Sequence, residues 1–401
     1  MLIDLINTIK DDDTIWVMEN RENSDKIFKE YVTDKLFSAT YAIVSKKVAY
    51  IFVHKLDEGN IKVLNNKYCK VFIYCNLSEL KDYINNILIE LRFPKNMLLN
   101  YTTMSDESTD IITHSSYIRI SKLFRNIYKE NDKKVSIKSA QMNIYDIISK
   151  NTNDDISRLK ELSKITDYIL KEAFYSIKAG QTEKEVAVNT RKIAIRYLEQ
   201  NKEKYDIINY DFAWDICPIV LSGVNLKKGG HALPSNKKIE KGDTIYFDFG
   251  IKAVFKDNKI LYTDMQRMGY VLNNNEKDAP QSVKNVFNVL VSSIKKGMKM
   301  MKPGIKGYVI DNIVRGEILK NNYPDYPHAT GHPVGKEVHG GGALISIKTG
   351  KRANLKLVEN GIYTLEPRVD IENGGSIEEM ILVTKDGGIP LCNLQNKLYL
   401  I

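Results

Sequence analysis

The chain has 401 residues, of which 43% are hydrophobic and 27% charged, and this is the composition of a globular protein. Its formal net charge of +9 is compatible with nucleic-acid binding, but the lysines are interleaved with acidic residues and form neither a basic tail nor an aromatic-rich stripe. No apolar run approaches the roughly 20 residues of a membrane-spanning helix, so we expect neither nucleic acid nor a membrane as a partner.

Four cysteines are spread along the chain without a CxxC pair. A chain of this length can fold without disulfides, so we interpret them as reduced thiols. The N-terminal segment becomes acidic at residues 11–13, before a long apolar core develops, which argues against a secretory signal. We therefore expect a cytoplasmic protein. The cysteines are Cys69, Cys75, Cys217 and Cys392.

Residues 1–150 carry short apolar strands and one amphipathic helix, which predicts a small α/β domain. Tyr41–His54 is expected to form two paired strands, and apolar residues recur at helical spacing over Leu77–Leu91. The polar stretch 149–155 breaks this pattern. We place the domain boundary there and assign residues 151–401 to a second domain.

The second domain opens with helices. Apolar spacing predicts a helix over residues 156–174, and Thr182 with Glu185 has the spacing of a capping box that would start the next helix, Glu183–Glu199. Two later helices are expected over Ala279–Met298 and Gly307–Asn321.

Between these helices, a predicted β-hairpin carries two acidic residues inside apolar strands. Thr244–Phe255 and Leu261–Leu272 flank a turn near Asp257. Asp248 and Asp264 have the same strand parity, so both carboxylates are expected on one face. Like charges facing each other across strands are unfavourable unless a cation lies between them.

A second predicted hairpin repeats the arrangement near the C-terminus. Its strands are Gly361–Val369 and Ser376–Thr384. Glu366 and Glu378 are symmetric about Glu372, so they should be cross-strand neighbours with apolar flanks.

An imidazole completes the set. Three of the six histidines lie between His328 and His339, and the middle one, His332, is flanked by Gly331 and Gly335, which let the backbone approach a site closely. Four carboxylates and one imidazole form a mostly oxygen ligand set that suits Mn²⁺, Co²⁺, Fe²⁺ or Zn²⁺ in a two-metal hydrolase.

These residues resemble the site of the pita-bread metallopeptidases, a family that includes methionine aminopeptidase, prolidase and aminopeptidase P. The first domain resembles the smaller creatinase-type domain that precedes the catalytic domain in prolidase and aminopeptidase P. The resemblance covers nearly the whole chain and is strongest after Trp214. It implies an α+β protein in which a C-terminal pita-bread domain, an antiparallel sheet with helices, follows an α/β creatinase-type domain.

The resemblance assigns a role to each residue of the predicted site. Asp248 of Asp-Phe-Gly is the first of the metal ligands, and His332 lies in the Gly-His-x-x-Gly element. Three further histidines match active-site residues that are not ligands. The implied metal ligands are Asp248, Asp264, His332, Glu366 and Glu378, and the other histidines are His231, His328 and His339.

Four positions depart from the family pattern. Gln266 stands where Thr or Ser is common, and Pro333 replaces a common Gly. Arg368 stands two residues after Glu366, where Gly is usual. Ser376 replaces an Arg that usually lies two residues before the bridging Glu, which weakens the expectation of strict Xaa-Pro specificity.

The resemblance implies an exopeptidase, of the Xaa-Pro aminopeptidase or Xaa-Pro dipeptidase type, that hydrolyses the N-terminal Xaa-Pro or a related bond of a short peptide. The nucleophile would be a hydroxide bridging two divalent ions, with Mn²⁺ expected first and Co²⁺, Zn²⁺ and Fe²⁺ as alternatives. Glu366 would act as general base and acid, and His328 and His339 would stabilise the tetrahedral intermediate or contact the scissile carbonyl. His231 would line the pocket and help to position the substrate or the leaving group. A homodimer is expected.

Two other functions stay open at this level. Creatinase and some dimethylsulfoniopropionate lyases use the same fold, so a non-peptidase hydrolase or lyase is the main alternative. Relatives that lost their ligands act as binding proteins, but the complete ligand set argues against that function here.

Overall fold

The computed structural model describes residues 2–64, 66–104, 106–229, 232–347 and 350–401. The chain divides into two compact units, Met1–Ile148 and Ser149–Ile401. Within the described ranges, none of the helices combines the length and apolarity needed to cross a bilayer.

The first unit is built on a six-stranded mixed sheet of order β4-β3-β2-β1-β5-β6, with two buried apolar clusters. The two strands expected over Tyr41–His54 are confirmed and form a hairpin. The helix expected over Leu77–Leu91 is confirmed as well. The strands are β1 (Thr14–Asn20), β2 (Thr40–Val44), β3 (Ala49–His54), β4 (Cys69–Tyr74), β5 (Asn96–Leu99) and β6 (Ser136–Ser139); the helices are α1 (Leu2–Thr8), α2 (Lys26–Tyr31), α3 (Leu77–Glu90), α4 (His114–Glu130) and α5 (Gln141–Ile148), with a 3₁₀ segment at Lys55–Leu64.

Four long helices frame the second unit. The predicted capping box is confirmed: the Thr182 hydroxyl accepts from the Glu185 amide at 3.2 Å, and Glu185 accepts from the Thr182 amide at 2.7 Å. A second capping box, at Thr152 and Asp155, starts the preceding helix three residues earlier than its apolar pattern predicted. The helices are α6 (Asn153–Tyr175), α7 (Glu183–Asn201), α8 (Gln281–Met300) and α9 (Gly307–Lys320), with 3₁₀ segments at Lys202–Tyr205, Gly223–Lys228 and Lys351–Asn354.

Small, mostly antiparallel sheets occupy the space between these helices, which confirms the α+β class. They run in the orders β18-β12-β9-β8, β11-β10-β7, β13-β16-β17 and β14-β15. The strands are β7 (Ile207–Phe212), β8 (Ile219–Ser222), β9 (Thr244–Phe249), β10 (Ile251–Phe255), β11 (Ile260–Tyr262), β12 (Met265–Tyr270), β13 (Ile362–Leu365), β14 (Arg368–Val369), β15 (Gly375–Ser376), β16 (Glu379–Thr384), β17 (Gly387–Pro390) and β18 (Tyr399–Leu400).

The strand expected over Thr244–Phe255 is interrupted at Gly250, so that β9 and β10 belong to different sheets. A Cβ at Gly250 would lie 2.1 Å from the Thr263 carbonyl oxygen, so only glycine fits this close approach. The second hairpin is also interrupted, at Glu366-Pro367, since Pro367 has no N–H to donate to a ladder. Both interruptions lie next to acidic residues of the predicted site.

Candidate metal centre

The first hairpin places Asp248 and Asp264 on one face, as their parity predicted. The register differs from a direct pairing of the two, because Asp248 lies opposite Gln266 and Asp264 lies two residues outside that pair, just before β12. The two carboxylates are therefore diagonal neighbours. Gln266, which the sequence marked only as a departure from the family pattern, lies on β12 and is the residue directly opposite Asp248.

The second hairpin places Glu366 opposite Glu378. Leu365 pairs with Glu379 on one side of them and Arg368 with Ser376 on the other, so the ladder is symmetric about residue 372, as predicted. Glu378 also joins the two hairpins: its amide donates to the Gln266 carbonyl at 3.1 Å, and the Gln266 amide donates back at 3.3 Å. Because of this bridge the acidic faces of both hairpins meet.

His332 reaches the same point from a loop that runs along β13. Its amide donates to the Thr364 hydroxyl at 3.1 Å, and its carbonyl accepts from the Thr364 amide at 2.9 Å. A Cβ at Gly331 would lie 2.0 Å from the Thr364 carbonyl oxygen, so a side chain there would push the loop away. The His332 Nε2 atom lies 3.5 Å from Glu366 Oε1, 3.7 Å from Asp264 Oδ2 and 3.9 Å from Glu378 Oε1.

The five predicted ligands thus converge on one place. Two groups, whose ligand atoms lie within 4.8 Å of one another, share Glu378. One contains Asp248 and Asp264, and the other contains His332 and Glu366. A third such group joins Asp264 and His332 to His339, which the sequence had placed outside the ligand set.

Burial makes this cluster unfavourable on its own. Burial and then the neighbouring carboxylate charges raise the pKa of Asp264 and Glu378 well above their usual range. Burial is also the main reason why the pKa of Asp248 is raised to about 7 and that of Glu366 to about 8. Four carboxylates with these environments cannot all stay ionised near neutral pH unless positive charge is added.

The hydrogen bonds of the cluster lead to the same conclusion as its pKa shifts. Among the described residues, no hydrogen-bond partner reaches Asp248 Oδ1 or either carboxylate oxygen of Glu378, although all three atoms are buried. Buried acceptors normally have donors, because leaving one unsatisfied costs about 1–3 kcal/mol. Acceptor oxygens that converge without donors fit divalent cations of the hard, oxygen-preferring kind.

The imidazole is in the form that a metal ion requires. Burial, and then the nearby His339, lowers the pKa of His332 to about 3, so its ring is neutral. His332 Nδ1 lies 3.1 Å from the Pro333 carbonyl oxygen, an acceptor that holds the proton on Nδ1 and leaves the Nε2 lone pair facing the carboxylates.

The other predicted histidines are placed as follows. His339 is exposed, with its ring centroid 4.5 Å from that of His332. His328 is half-buried, its Nδ1 lies 2.7 Å from the Ala329 carbonyl oxygen, and burial lowers its pKa. His231 lies outside the described residues.

A cavity of about 340 Å³ opens beside the cluster. Its lining includes two of the carboxylates, three histidines and two arginines: Asp248, Glu366, His328, His332, His339, Arg352 and Arg368. Arg368 is almost fully buried; its guanidinium donates to the Leu226 carbonyl at 2.5 Å. The sequence did not predict the arginines as site residues, since only the folded hairpin and loop bring them to the cavity.

The buried carboxylate–imidazole cluster, on two joined hairpins beside an open cavity, places the chain in the class of metal-dependent enzymes. Comparison with known proteins gives the family: residues 157–385 match the model of metallopeptidase family M24. The chain belongs to metallopeptidase family M24, as the residues of the two hairpins predicted.

Individual relatives are more distant. An Xaa-Pro dipeptidase of Pyrococcus horikoshii is 28% identical over 247 residues, which cover 61% of this chain and 62% of that protein. A putative dipeptidase of Bacillus subtilis is 28% identical over 255 residues, again 62% of its length, so the matches span less than two thirds of these curated relatives.

Solved structures agree in fold over almost the whole chain. An X-Pro aminopeptidase of Thermotoga maritima superposes with a TM-score of 0.65 at 22% identity, covering 97% of both chains. A prolidase of Pyrococcus horikoshii gives 0.63 at 21% identity, covering 99% of both. The predicted two-part pita-bread architecture is confirmed at the level of the fold.

Proposed function

We propose that this metallopeptidase is an exopeptidase that hydrolyses the Xaa-Pro or a related bond of short peptides. The observation that carries the proposal is the convergence of Asp248, Asp264, His332, Glu366 and Glu378 beside a cavity. Relatives named as Xaa-Pro dipeptidases, and structures of an X-Pro aminopeptidase and a prolidase, support the substrate class.

Two divalent cations are proposed as the cofactor, with Mn²⁺ ahead of Co²⁺, Zn²⁺ and Fe²⁺. Asp248 and Asp264 would hold one ion, His332 and Glu366 the other, and Glu378 would serve both, because it belongs to each group of converging ligand atoms. Divalent ions in such pairs polarise the substrate carbonyl and lower the pKa of water.

Glu366 is proposed as the proton carrier. Among the glutamates of the cluster it faces the cavity, with 16% of its side chain exposed against 1% for Glu378. It can therefore accept a proton from the attacking water and deliver it to the leaving amine.

The histidines are proposed to contact the substrate. His328 and His339 line the cavity next to the carboxylates, where a ring N–H can donate to the oxyanion of the tetrahedral intermediate. For His231 a role in positioning the substrate stays a proposal from the family resemblance. The cavity volume of about 340 Å³ lies at the small end for ligand sites, which favours short peptides.

The test is hydrolysis of an Xaa-Pro dipeptide, an Xaa-Pro-Yaa tripeptide and a dipeptide without proline. We expect proline-dependent cleavage that requires Mn²⁺ and stops on chelation. The ratio of dipeptide to tripeptide rates decides between dipeptidase and aminopeptidase action. Metal-loaded protein that hydrolyses no peptide in the panel would favour the non-peptidase hydrolase or lyase.

We also propose a cytoplasmic homodimer. All four cysteines lie in the described ranges and none is in a disulfide, which supports a reducing compartment. The dimer rests on the family resemblance and is tested by light scattering of the purified protein.

A further inference from the structure

Gln266 occupies the centre of the metal centre. Its backbone pairs with Asp248 on β9, and it also forms the two backbone hydrogen bonds to Glu378 that join the hairpins. Residues directly opposite each other in an antiparallel ladder point to the same face. The Gln266 side chain therefore emerges between two ligand carboxylates that come from different hairpins.

The amide of this side chain is poorly satisfied. Its Nε2 lies 3.4 Å from Asp248 Oδ2 and 3.5 Å from Glu366 Oε2, which is longer than the usual N–H···O distance of about 2.9 Å. Its Oε1 is buried and has no hydrogen-bond partner among the described residues. In this respect Oε1 behaves as Asp248 Oδ1 and the Glu378 oxygens do, and these are atoms of proposed ligands.

A half-turn of the amide changes what it offers. The nitrogen and oxygen of a glutamine amide have nearly the same size, so a rotation about the last torsion exchanges them with little change in packing. After this rotation Oε1 would lie near the present Nε2 position, which is 3.4 and 3.5 Å from the two carboxylate oxygens. When six oxygen ligands surround one ion octahedrally at about 2.1 Å, neighbouring oxygens lie about 3 Å apart.

We propose that Gln266 is an additional, neutral oxygen ligand whose amide turns with the state of the site. Without a cation the NH₂ group faces the carboxylates and partly offsets their negative charge. With a cation bound the oxygen faces the ion. This proposal rests on the proposed function, because it requires the metal centre.

A neutral ligand has a chemical consequence. An amide oxygen is hard, so it favours Mn²⁺ over softer ions such as Zn²⁺. Unlike a fifth carboxylate, it also adds no further negative charge to the four that are already buried there. Gln266 is therefore inferred to determine metal preference and, in the metal-free protein, to limit repulsion within the cluster.

The test is calorimetric titration of the metal-free, full-length protein with Mn²⁺ and with Zn²⁺. Gln266→Met keeps the length of the side chain but has neither the N–H nor the oxygen. We expect its Kd for Mn²⁺ to rise about 10-fold, with a smaller change for Zn²⁺. An unchanged or tighter Mn²⁺ affinity in this variant would overturn the proposal, because an amide that only donates to the carboxylates would compete with the ion.

Gln266→Glu separates the two orientations, since it has an oxygen in both positions and no N–H. We expect Mn²⁺ affinity at least equal to wild type, together with a lower melting temperature of the metal-free protein. Weaker Mn²⁺ binding by this variant also contradicts the ligand role.

Gln141→Met is the matched control. Gln141 is equally buried, but its amide is satisfied by Thr102 and Thr103 in the first unit, so its loss should lower stability and leave the Mn²⁺ Kd unchanged. A wild-type protein that takes up no Mn²⁺ refutes the metal centre and this inference with it. Wild-type uptake with equal uptake by Gln266→Met refutes this inference alone.

Discussion

Two buried glutamates in the second unit show how a structural carboxylate differs from a metal ligand. Glu183, at the start of α7, is 0% exposed, and Glu378, beside β16, is 1% exposed. Glu183 accepts from the amide and hydroxyl groups of Ser222 and Ser235 and from the Asn225 side chain, at 2.7 to 3.0 Å. Glu378 oxygens have no hydrogen-bond partner within the described ranges.

Burial alone therefore does not identify a site; the donors around a buried carboxylate do. The donors around Glu183 belong to Ser222, Asn225 and Ser235, so this carboxylate ties three residues to the start of α7. The carboxylates around Glu378 repel its charge, so Glu378 can stay ionised near neutral pH only if positive charge is added beside it. The following predictions test this contrast.

The largest effect is expected from the proposed ligands. Asp264→Ala or Glu366→Gln should lower peptidase activity about 10³-fold or more, because each removes a group that no neighbouring residue can replace. The measurement is kcat/KM with saturating Mn²⁺. Glu372→Ala, an exposed carboxylate in the turn of the same hairpin, should keep wild-type activity. Full activity of the Asp264 or Glu366 variant after chelation would refute the metal centre.

A large loss of stability is expected at Glu183. Glu183→Gln turns one acceptor oxygen into a donor that faces other donors, so the free energy of unfolding should fall by about 3–4 kcal/mol. Chemical denaturation of the metal-free protein measures this. A variant as stable as wild type would show that the five donor groups do not depend on the charge.

The sequence predicted the fold class and the convergence of the four carboxylates, but not the exact course of the strands that carry them. Glu366 and Glu378 could be placed opposite each other because a hairpin's register follows from its turn. Asp264 could be placed on the face of Asp248, but not two residues out of register, because parity does not distinguish Asp264 from Gln266. The sheet change at Gly250 depends on its contact with Thr263, which no local pattern contains.

The cavity was the least predictable part. Arg368 of β14 pairs with Ser376 of β15 and lines the cavity. In the family pattern the arginine stands at the position of Ser376, on the opposite strand. His339 approaches His332 through a loop whose path depends on long-range contacts. Such positions follow from tertiary packing, so residue spacing predicts the ligand set and not the residues that surround it.

A third prediction extends the contrast to the first unit. Asp25 is buried at the N-terminus of α2, where it accepts from the amides of Ile27 and Phe28 and from the Asn100 side chain. Burial nevertheless raises its pKa to about 6. Because the folded pKa exceeds the unfolded value, the contribution of Asp25 is fully present below about pH 4 and is lost as the pH rises through 6, by up to about 3 kcal/mol.

Denaturation followed by the fluorescence of buried Trp16, in a Trp214→Phe background, measures this contribution between pH 4 and pH 7. Asp25→Asn cannot titrate at this position. The free energy of unfolding of wild type minus that of the variant should therefore fall as the pH rises. A difference that stays constant across the range would show that the donors around Asp25 outweigh its burial.

The smallest effect has the opposite sign. Glu378→Gln should raise the free energy of unfolding of the metal-free protein by about 1–2 kcal/mol, because a glutamine, unlike the carboxyl group, does not have to take up a proton or bury a charge beside Asp264 and Glu366 when the chain folds. In Mn²⁺-loaded protein the same substitution should lower the melting temperature, since a ligand is lost. Thermal unfolding with Mn²⁺ and with chelator gives both values. If Glu378→Gln destabilised the metal-free protein as Glu183→Gln does, the two glutamates would have the same structural role, and the contrast between them would no longer identify the metal centre.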